Sequence, residues 1–273
     1  MKKFIFLNIL FLFTTLSAQE INFYGEAKQG GIIIGVGKNI VTAFLDETQL
    51  QVDKSGAFVF GFDRDAKGTF DLRVDFKNNK AKTFKYVIKK QKYDVQRLQV
   101  AKDFLSPPKK ILKQIQTEKQ MMIEARTKVG KINDALFLNG FNSPLNIVDI
   151  GATFGVQRIL NGKPSNVHNG LDFRAEEGDS IRAIADGIVR IAGENFFYNG
   201  TFVLLDHGQG LTSIYLHMSK LLVSNDQSVK KGEVIGLVGS TGRATGPHLH
   251  LGVQWYKERI DPMNLLTINL PVK

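Results

Sequence analysis

Hydrophobic and polar residues alternate in short runs from Ile21 to about Val100, and turn residues separate the runs. The run at 70–76 breaks at Asn78-Asn79 and resumes at 84–88, and runs around Leu50 and Phe58 flank Ser55-Gly56. Period-two alternation is typical of half-buried strands, and a turn sequence between two such runs predicts a hairpin. We therefore expect both pairs of runs to be hairpins of a small antiparallel β-sandwich.

A second pattern begins after Ser106-Pro107-Pro108, since consecutive prolines end a strand. From Lys109 to about Lys131 the apolar residues recur at helical spacing, and Lys and Glu fill the other positions. The residues expected to share one face are Ile111, Leu112, Ile115, Met122 and Ile123. A basic amphipathic helix can lie on a membrane surface or pack between two domains, and we favour packing between domains.

The sequence changes again after Asn139-Gly140. From there to about Leu266 it is rich in glycine and in strand-like apolar runs. All five histidines of the chain fall in this part: His168, His207, His217, His248 and His250. Any chemistry that depends on imidazole therefore belongs to the C-terminal half, and the first hundred residues contain none.

Residues 1–18 have the layout of a secretory signal peptide. Lys2 and Lys3 precede an apolar run at 4–16, and small residues lead to Ala18 before Gln19. The alternative is an uncleaved anchor, but the run is short for a helix that needs about 20 residues to span a bilayer. We expect cleavage, export to the periplasm or the medium, and no stable membrane insertion afterwards.

Composition narrows the chemistry further. The 273 residues include no cysteine, which excludes disulfides, a thiol nucleophile and a thiolate metal site. The formal net charge is +10, of which Lys2 and Lys3 contribute two charges. A basic exported protein is expected to meet anionic envelope polymers rather than nucleic acid, although a basic surface can also serve solubility alone.

Two histidine motifs have the spacing of metal ligands. His168 and Asp172 lie four residues apart at the start of a predicted strand, and His248 and His250 lie two apart on another. Alternate residues of a strand project to the same side, so each pair shares a face. Two histidines and one aspartate give three protein ligands and leave a position for water, as in catalytic zinc sites. Spacing alone does not show that the two motifs meet.

Other catalytic motifs are missing from the sequence. The glycine-rich stretches lack the P-loop ending and the dinucleotide fingerprint, and no G-x-S-x-G or His-Glu-x-x-His motif occurs. Tight turns beside a groove explain these glycines better. With no motif-supplied glutamate, a neighbouring imidazole is the natural general base, because its pKa near 6.5 suits proton transfer at neutral pH. Tyr198 and Arg243 are candidates for the groove itself.

The C-terminal half resembles the lysostaphin-type zinc endopeptidases of the M23 family, which cut peptide bonds in peptidoglycan. The resemblance rests on ordered blocks: Phe154-Gly155 with Arg158, 168–172, 183–187, 206–208, 215–217, 231–236, 239–242 and 245–250. It implies one Zn²⁺ per chain held by His168, Asp172 and His250. It also implies that His248 and His217 are uncoordinated catalytic histidines.

The resemblance assigns further roles to single positions. We expect His248 to be the base and His217 to stabilise the oxyanion or assist the leaving amine, although these two roles could be exchanged. His207, in Asp206-His207-Gly208 before a turn, is expected to be structural. Many family members have an acidic or amide residue where this chain has Gly252, so we expect His250 to lack that support.

These observations predict a mainly β protein in four parts. They are a signal peptide (1–18), an immunoglobulin-like sandwich (19–103), a helical linker (104–135) and an antiparallel β lysostaphin-type domain (136–270). The expected function is zinc-dependent hydrolysis of peptide stems or cross-links of peptidoglycan. The alternatives are an inactive wall-binding protein or activator of another hydrolase, and a partner-binding role of the N-terminal sandwich. The sequence does not identify the bond, the wall or the oligomeric state.

Overall fold

The computed structural model describes residues 21–77, 80–99 and 107–271. The predicted signal peptide, the break at Asn78-Asn79 and the predicted boundary between residues 103 and 104 lie outside the described residues. These predictions therefore stay predictions.

Two antiparallel sheets form an N-terminal sandwich. Its strands are β1 Ile21–Gly25, β2 Ile32–Gly37, β3 Ile40–Leu45, β4 Thr48–Leu50, β5 Ala57–Gly61, β6 Thr69–Phe76 and β7 Ala81–Val87. One sheet has the order β1-β2-β5 and the other the order β4-β3-β6-β7. Aromatic rings join them edge to face, as between Phe23 of β1 and Phe84 of β7, whose centroids are 4.9 Å apart.

One of the two predicted hairpins is correct and the other is wrong. Strands β6 and β7 pair from Thr69↔Val87 to Asp75↔Ala81, as alternation predicted. Strand β4, however, pairs with β3, and β5 pairs with β2, so the chain changes sheets between them. The Asp53 carboxylate accepts hydrogen bonds from the backbone N–H groups of Ser55 and Ala57 and forms the turn. Such a turn has the same sequence signature whether the flanking strands pair or separate.

A larger sheet makes up the C-terminal half. The remaining strands are β8 Val95–Leu98, β9 Ile150–Ala152, β10 Gln157–Leu160, β11 Lys163–Val167, β12 Leu171–Arg174, β13 Ser180–Arg182, β14 Gly187–Phe196, β15 Gly200–Asp206, β16 Leu211–Leu221, β17 Ser228–Val229, β18 Val234–Val238, β19 His248–Trp255 and β20 Glu258–Ile260. The sheet has the order β17-β14-β15-β16-β19-β12-β9, with β18, β13 and β20 beside this path. Its pairs are antiparallel, which confirms the predicted mainly β, antiparallel fold class.

The predicted helix is present, and part of the predicted face is correct, since Ile111, Ile115 and Met122 are less exposed than Leu112 and Ile123. Helix α1, Leu112–Thr127, follows a 3₁₀ turn at Lys109–Ile111, and Gly130 beyond its end has a left-handed φ of 79°. Leu112 and Ile123 are 45% and 48% exposed, so their predicted burial is wrong. Met122 and Ala125 instead pack on residues of β14 and β15, and Glu118 is buried on the same side. The helix therefore packs on the C-terminal sheet.

The two halves of the molecule are tied together by strand pairing and by a shared core. Strands β8, β10 and β11 form a separate three-stranded sheet, in which β8 pairs in parallel with β10 and β10 pairs with β11. A Cβ atom on Gly61 of β5 would lie 2.5 Å from the Ile260 side chain of β20, so these strands are in close contact. The buried Gln209 side chain donates to the backbone oxygens of Ala57 and Asn133. One apolar cluster consequently runs through both halves.

A short helix, α2 Pro262–Leu266, follows β20. Its first turn is capped by the Asp261 carboxylate, which accepts a hydrogen bond from the backbone N–H of Met263. Within residues 21–77, 80–99 and 107–271, neither α1 nor α2 combines the length and apolar composition that a bilayer span requires.

Candidate metal centre

Strands β12 and β19 place three of the predicted site residues on one surface of the sheet. The strands are antiparallel neighbours, and their register sets Asp172 opposite His250 and Arg174 opposite His248. The intervening side chains of Leu171, Phe173, Leu249 and Leu251 are fully buried on the opposite side. Burial of these alternate apolar residues therefore holds Asp172, His248 and His250 on the other face, as the spacing predicted.

His168 reaches the same place from the loop before β12. Its backbone N–H donates to Val156 O, and its backbone oxygen accepts from the N–H of Gly155. Its ring Nδ1 lies 2.7 Å from the backbone oxygen of Thr153. A carbonyl oxygen only accepts, so Nδ1 carries the proton and Nε2 presents a lone pair. The structure thus brings the two histidine motifs together, which spacing alone could not establish.

Three ligand-type atoms converge in what we call the cradle, formed by His168, Asp172 and His250. His168 Nε2 is 3.0 Å from Asp172 Oδ1 and 3.2 Å from His250 Nδ1, and His250 Nδ1 is 2.7 Å from Asp172 Oδ1. These atoms form a group that could hold a metal ion. Tetrahedral zinc with bonds of about 2.0–2.1 Å separates its ligand atoms by roughly 3.3 Å, close to the observed spacings.

The donor set also favours a cation. His168 Nε2 and Asp172 Oδ1 both offer lone pairs at 3.0 Å, which is repulsive unless a positive centre lies beside them. Burial raises the pKa of Asp172, but the two neighbouring imidazoles of His168 and His250 outweigh it and hold that pKa well below its usual value. Burial lowers the pKa of His250. An ionised carboxylate and a neutral imidazole are the forms that bind metal.

His217 and His248 form a second group, the histidine pair, beside the cradle. Their ring centroids are 4.8 Å apart, and the His217 ring lies 6.4 Å from that of His250. Nδ1 of His217 is 2.8 Å from Thr241 O, and Nδ1 of His248 is 2.9 Å from Gly246 O. Because each Nδ1 faces a carbonyl oxygen, it carries the proton and leaves Nε2 with a lone pair.

His217 has an unusual backbone and an unusual environment. Its φ is +66°, in the left-handed region, at an irregularity in the pairing of β15 and β16. Its backbone N–H donates to Asn199 O. Burial lowers the pKa of its imidazole to about 4, so His217 is neutral at neutral pH. Strained backbone at a buried polar residue often marks a functional site.

The ring of His207 contacts residues that belong to neither the cradle nor the histidine pair. Its Nδ1 is 2.8 Å from Asp186 O, and its Nε2 is 2.7 Å from Ser213 Oγ. The residue is fully buried, and burial lowers the pKa of its imidazole. Both ring nitrogens are satisfied within the fold, in keeping with the expected structural role.

Two turns near the histidine pair supply contacts that sequence reasoning did not assign. Asn199 and Thr241 hold His217 through their backbone oxygens, and a backbone contact has no sequence signature. The Arg243 guanidinium lies 4.7 Å over the Tyr198 ring, and its backbone N–H donates to Tyr198 O. The two predicted groove candidates are thus in contact with each other, between the turns that hold His217.

Arg158 and Gly252 also border the cradle. One guanidinium nitrogen of Arg158, Nη2, is 3.9 Å from Asp172 Oδ2, and sequence reasoning had used Arg158 only as part of the resemblance. A Cβ atom on Gly252 would lie 2.8 Å from Ile214 Cγ2. The space beside Gly252 is therefore filled by an apolar side chain, and a larger residue at this position would collide with it.

Comparisons with known proteins bear on the same part of the chain. Residues 166–262 match the family model described as Peptidase family M23. The sequence is 38% identical over 135 residues to DD-carboxypeptidase/endopeptidase Mpg of Neisseria meningitidis serogroup B, covering 48% of this chain and 30% of that protein. It is 41% identical over 105 residues to peptidoglycan DD-endopeptidase ShyA of Vibrio cholerae, covering 38% of this chain and 24% of that protein. The chain therefore spans less than a third of these curated relatives.

A solved structure is similar over more of the molecule. It is the crystal structure of a Pseudomonas aeruginosa protein described as an M23 peptidase, with a TM-score of 0.63 and 26% identity. The match covers 88% of this chain and 95% of that one. The likeness therefore includes strands of the N-terminal sandwich as well as the C-terminal sheet.

Proposed function

Because residues 166–262 carry a peptidase family M23 domain, we propose that this protein is a zinc-dependent endopeptidase that hydrolyses peptide stems or cross-links of bacterial peptidoglycan. The observation that carries the proposal is the cradle, in which two imidazole nitrogens and one carboxylate oxygen lie 2.7–3.2 Å apart. His168, Asp172 and His250 would hold one Zn²⁺ per chain. Three protein ligands leave a position for water or substrate, as at catalytic zinc centres.

The chemistry that zinc supplies at such a centre is Lewis acidity, which polarises a carbonyl oxygen and lowers the pKa of water to about 7. The histidine pair would then handle protons. His248 is partly exposed at the surface of the site and presents the lone pair of Nε2, so we assign it as the base that takes a proton from the attacking water.

His217 would act on the other side of the same reaction. It is only 7% exposed, and its neutral Nε2 is an acceptor in the resting site. As negative charge develops on the substrate, the proton affinity of His217 rises, and its Nε2 can receive the proton that His248 took from the water and donate it to the oxyanion or to the leaving amine. The C–N bond breaks, the amine leaves with that proton, and the carboxylate product remains. The two roles are distinguishable only by experiment.

Peptidoglycan as substrate follows from the relatives. Mpg is named a DD-carboxypeptidase/endopeptidase and ShyA a peptidoglycan DD-endopeptidase. We propose the same substrate class for this chain, with a DD cross-link as the bond to test first, and no nucleic-acid partner.

Because this polymer lies outside the cytoplasm, the proposal requires export, which residues 1–18 would provide. Residues 19–103, 104–135 and 136–270 would then be sandwich, helical linker and peptidase domain.

The test is digestion of isolated peptidoglycan sacculi by the purified mature protein, with and without a chelator. Release of soluble fragments that stops with chelator and returns with zinc is expected, and product masses identify the bond. Bound zinc without release from any of several walls would overturn the catalytic proposal. Neither zinc nor release would favour an inactive wall-binding protein or activator instead, an alternative that the complete ligand set argues against.

A further inference from the structure

Helix α1 contains a buried acidic residue that the chemistry described so far does not use. Glu118 is 9% exposed, which is rare for glutamate unless it is paired. Both of its carboxylate oxygens accept a hydrogen bond from the backbone N–H of Phe197, at 2.9 and 3.1 Å. Gln114, one helical turn earlier, donates to Glu118 Oε1 and also to Asn195 O. The helix therefore holds the connection between β14 and β15.

That connection, residues 197–199, is a short turn with a separate partner for each residue. Phe197 is bound by Glu118, and Tyr198 O accepts from the backbone N–H of Arg243. Asn199 O accepts the backbone N–H of His217. Since only one residue separates Phe197 from Asn199, this hydrogen-bonded turn connects Glu118 to the backbone of His217.

His217 needs such external support. Its left-handed φ of +66° is an uncommon conformation for a residue with a side chain, and it persists only when its surroundings fix it. The Thr241 oxygen fixes the ring, and the Asn199 oxygen fixes the backbone. Removal of the Glu118 carboxylate would take away the hydrogen-bond acceptor of the Phe197 backbone N–H and free the turn to move.

We propose that Glu118 is a positioning residue for His217, acting through the 197–199 turn. The inference rests on the proposed function insofar as His217 takes part in peptide hydrolysis. It makes α1 part of the peptidase site rather than a passive connector. A displacement of about 1 Å at a catalytic group can reduce the rate by about a hundredfold, so a small movement of the turn is sufficient.

The test compares Glu118→Ala with Glu124→Ala in the full mature, zinc-loaded protein, using a cross-linked muropeptide as substrate. Glu124 lies on the same helix, is exposed and does not contact the turn. We expect Glu118→Ala to lower kcat about ten- to a hundredfold with zinc content and KM unchanged. Glu124→Ala should behave as wild type. Glu118→Gln keeps an acceptor oxygen and should recover most of the rate.

A double-mutant cycle with His217→Asn separates positioning from a general structural role, since asparagine tolerates the left-handed backbone. If Glu118 acts through His217, adding Glu118→Ala to His217→Asn causes no further loss of rate. The same loss in both backgrounds, or a wild-type rate for Glu118→Ala, would overturn the inference. If Glu118→Ala does not fold, Glu118→Asp withdraws the carboxylate by one methylene and is used in its place.

Amide hydrogen exchange provides a readout that needs no activity. In Glu118→Ala the amides of Phe197 and His217 should exchange faster, while that of His250 is unchanged. If the wild-type protein cleaves no wall, the proposed function fails and this exchange pattern alone decides the inference. Unchanged exchange at both Phe197 and His217 would refute it, whatever the activity.

Discussion

The cradle and the histidine pair use histidine in opposite ways. In the cradle, His168 and His250 turn ligand atoms toward each other and toward Asp172, and strand register sets Asp172 opposite His250. In the pair, His217 and His248 are fixed by hydrogen bonds to backbone oxygens of turns, and their Nε2 atoms remain free to exchange protons. The comparison teaches that ligand atoms aimed at one point suit the binding of a cation, whereas rings that use Nδ1 for a backbone oxygen and leave Nε2 available suit proton transfer.

The largest expected effect comes from breaking the cradle. His250→Ala or His168→Ala removes one of three ligands, so bound zinc and wall cleavage should be lost together. Metal analysis of the purified variants, alongside release of soluble fragments from sacculi, checks both. A variant that kept stoichiometric zinc and full cleavage would show that the cradle is not the metal site.

Substitutions in the histidine pair should separate zinc binding from wall cleavage. His217→Asn and His248→Gln remove a proton-transfer group and leave the three ligands intact, so zinc should remain while kcat falls by about 10²–10⁴. Steady-state kinetics on a cross-linked muropeptide, with metal content measured in parallel, tests this. Loss of zinc in either variant would place that histidine in the metal site.

A smaller effect should come from the turns. Gly242 has a φ of +72°, and a Cβ there would lie 2.3 Å from Gly200 N, so Gly242→Ala must displace the turn beside Thr241. We expect kcat to fall about tenfold while zinc content is unchanged.

Gly178→Ala is the matched control for this substitution. Gly178 also has a positive φ, +95°, but nothing lies within 4 Å of its added Cβ. Its substitution should cost about 1 kcal/mol of stability from backbone strain and leave kcat unchanged. Equal kcat for the two variants would contradict the importance of the turn.

The smallest expected effect is on how the free energy of unfolding of the metal-free protein depends on pH. Because burial lowers the pKa of His217 to about 4, the unfolded chain binds a proton there below pH about 6.5 and the folded chain does not. The free energy of unfolding should therefore fall as pH drops from about 6.5 to about 4, by up to about 3 kcal/mol from this residue.

His217→Asn isolates this contribution. Denaturant unfolding of wild type and variant at several pH values should show a weaker dependence in the variant. Some dependence should persist, because burial lowers the pKa of His207 and His250 in the same direction. An identical pH dependence in both proteins would contradict the assignment of a buried, neutral His217.

The sequence predicted the fold class better than the arrangement of strands and side chains. Alternation at 70–76 and 84–88 identified a real hairpin, because a one-sided strand has a period-two pattern. The turn at Ser55-Gly56 was misinterpreted, since turn chemistry does not reveal whether the strands on either side pair. Helix α1 was located correctly, but the burial of Glu118 depends on a backbone N–H from a distant turn.

Spacing suggested that His168 with Asp172, and His248 with His250, share strand faces; strand β19 confirms this for the second pair, whereas His168 lies in the loop before β12. It could not bring the two motifs together, because His168 and His250 lie 82 positions apart and meet only when β12 pairs with β19. Likewise, the carbonyl oxygens of Asn199 and Thr241 belong to the backbone, which every residue carries. Their role in holding His217 becomes visible only in three dimensions.

The shared core between the halves also bears on how the chain reaches its native state. Hydrogen bonds join the backbone N–H of Arg259 to Asp63 and Asn264 to Gly30 O, across 196 and 234 positions of sequence. Contacts of such long range require the closure of large loops, and this closure slows folding. Since one apolar cluster spans both halves, we expect a single calorimetric unfolding transition. A C-terminal half produced alone would expose the apolar surface around Ile260 and be prone to aggregation.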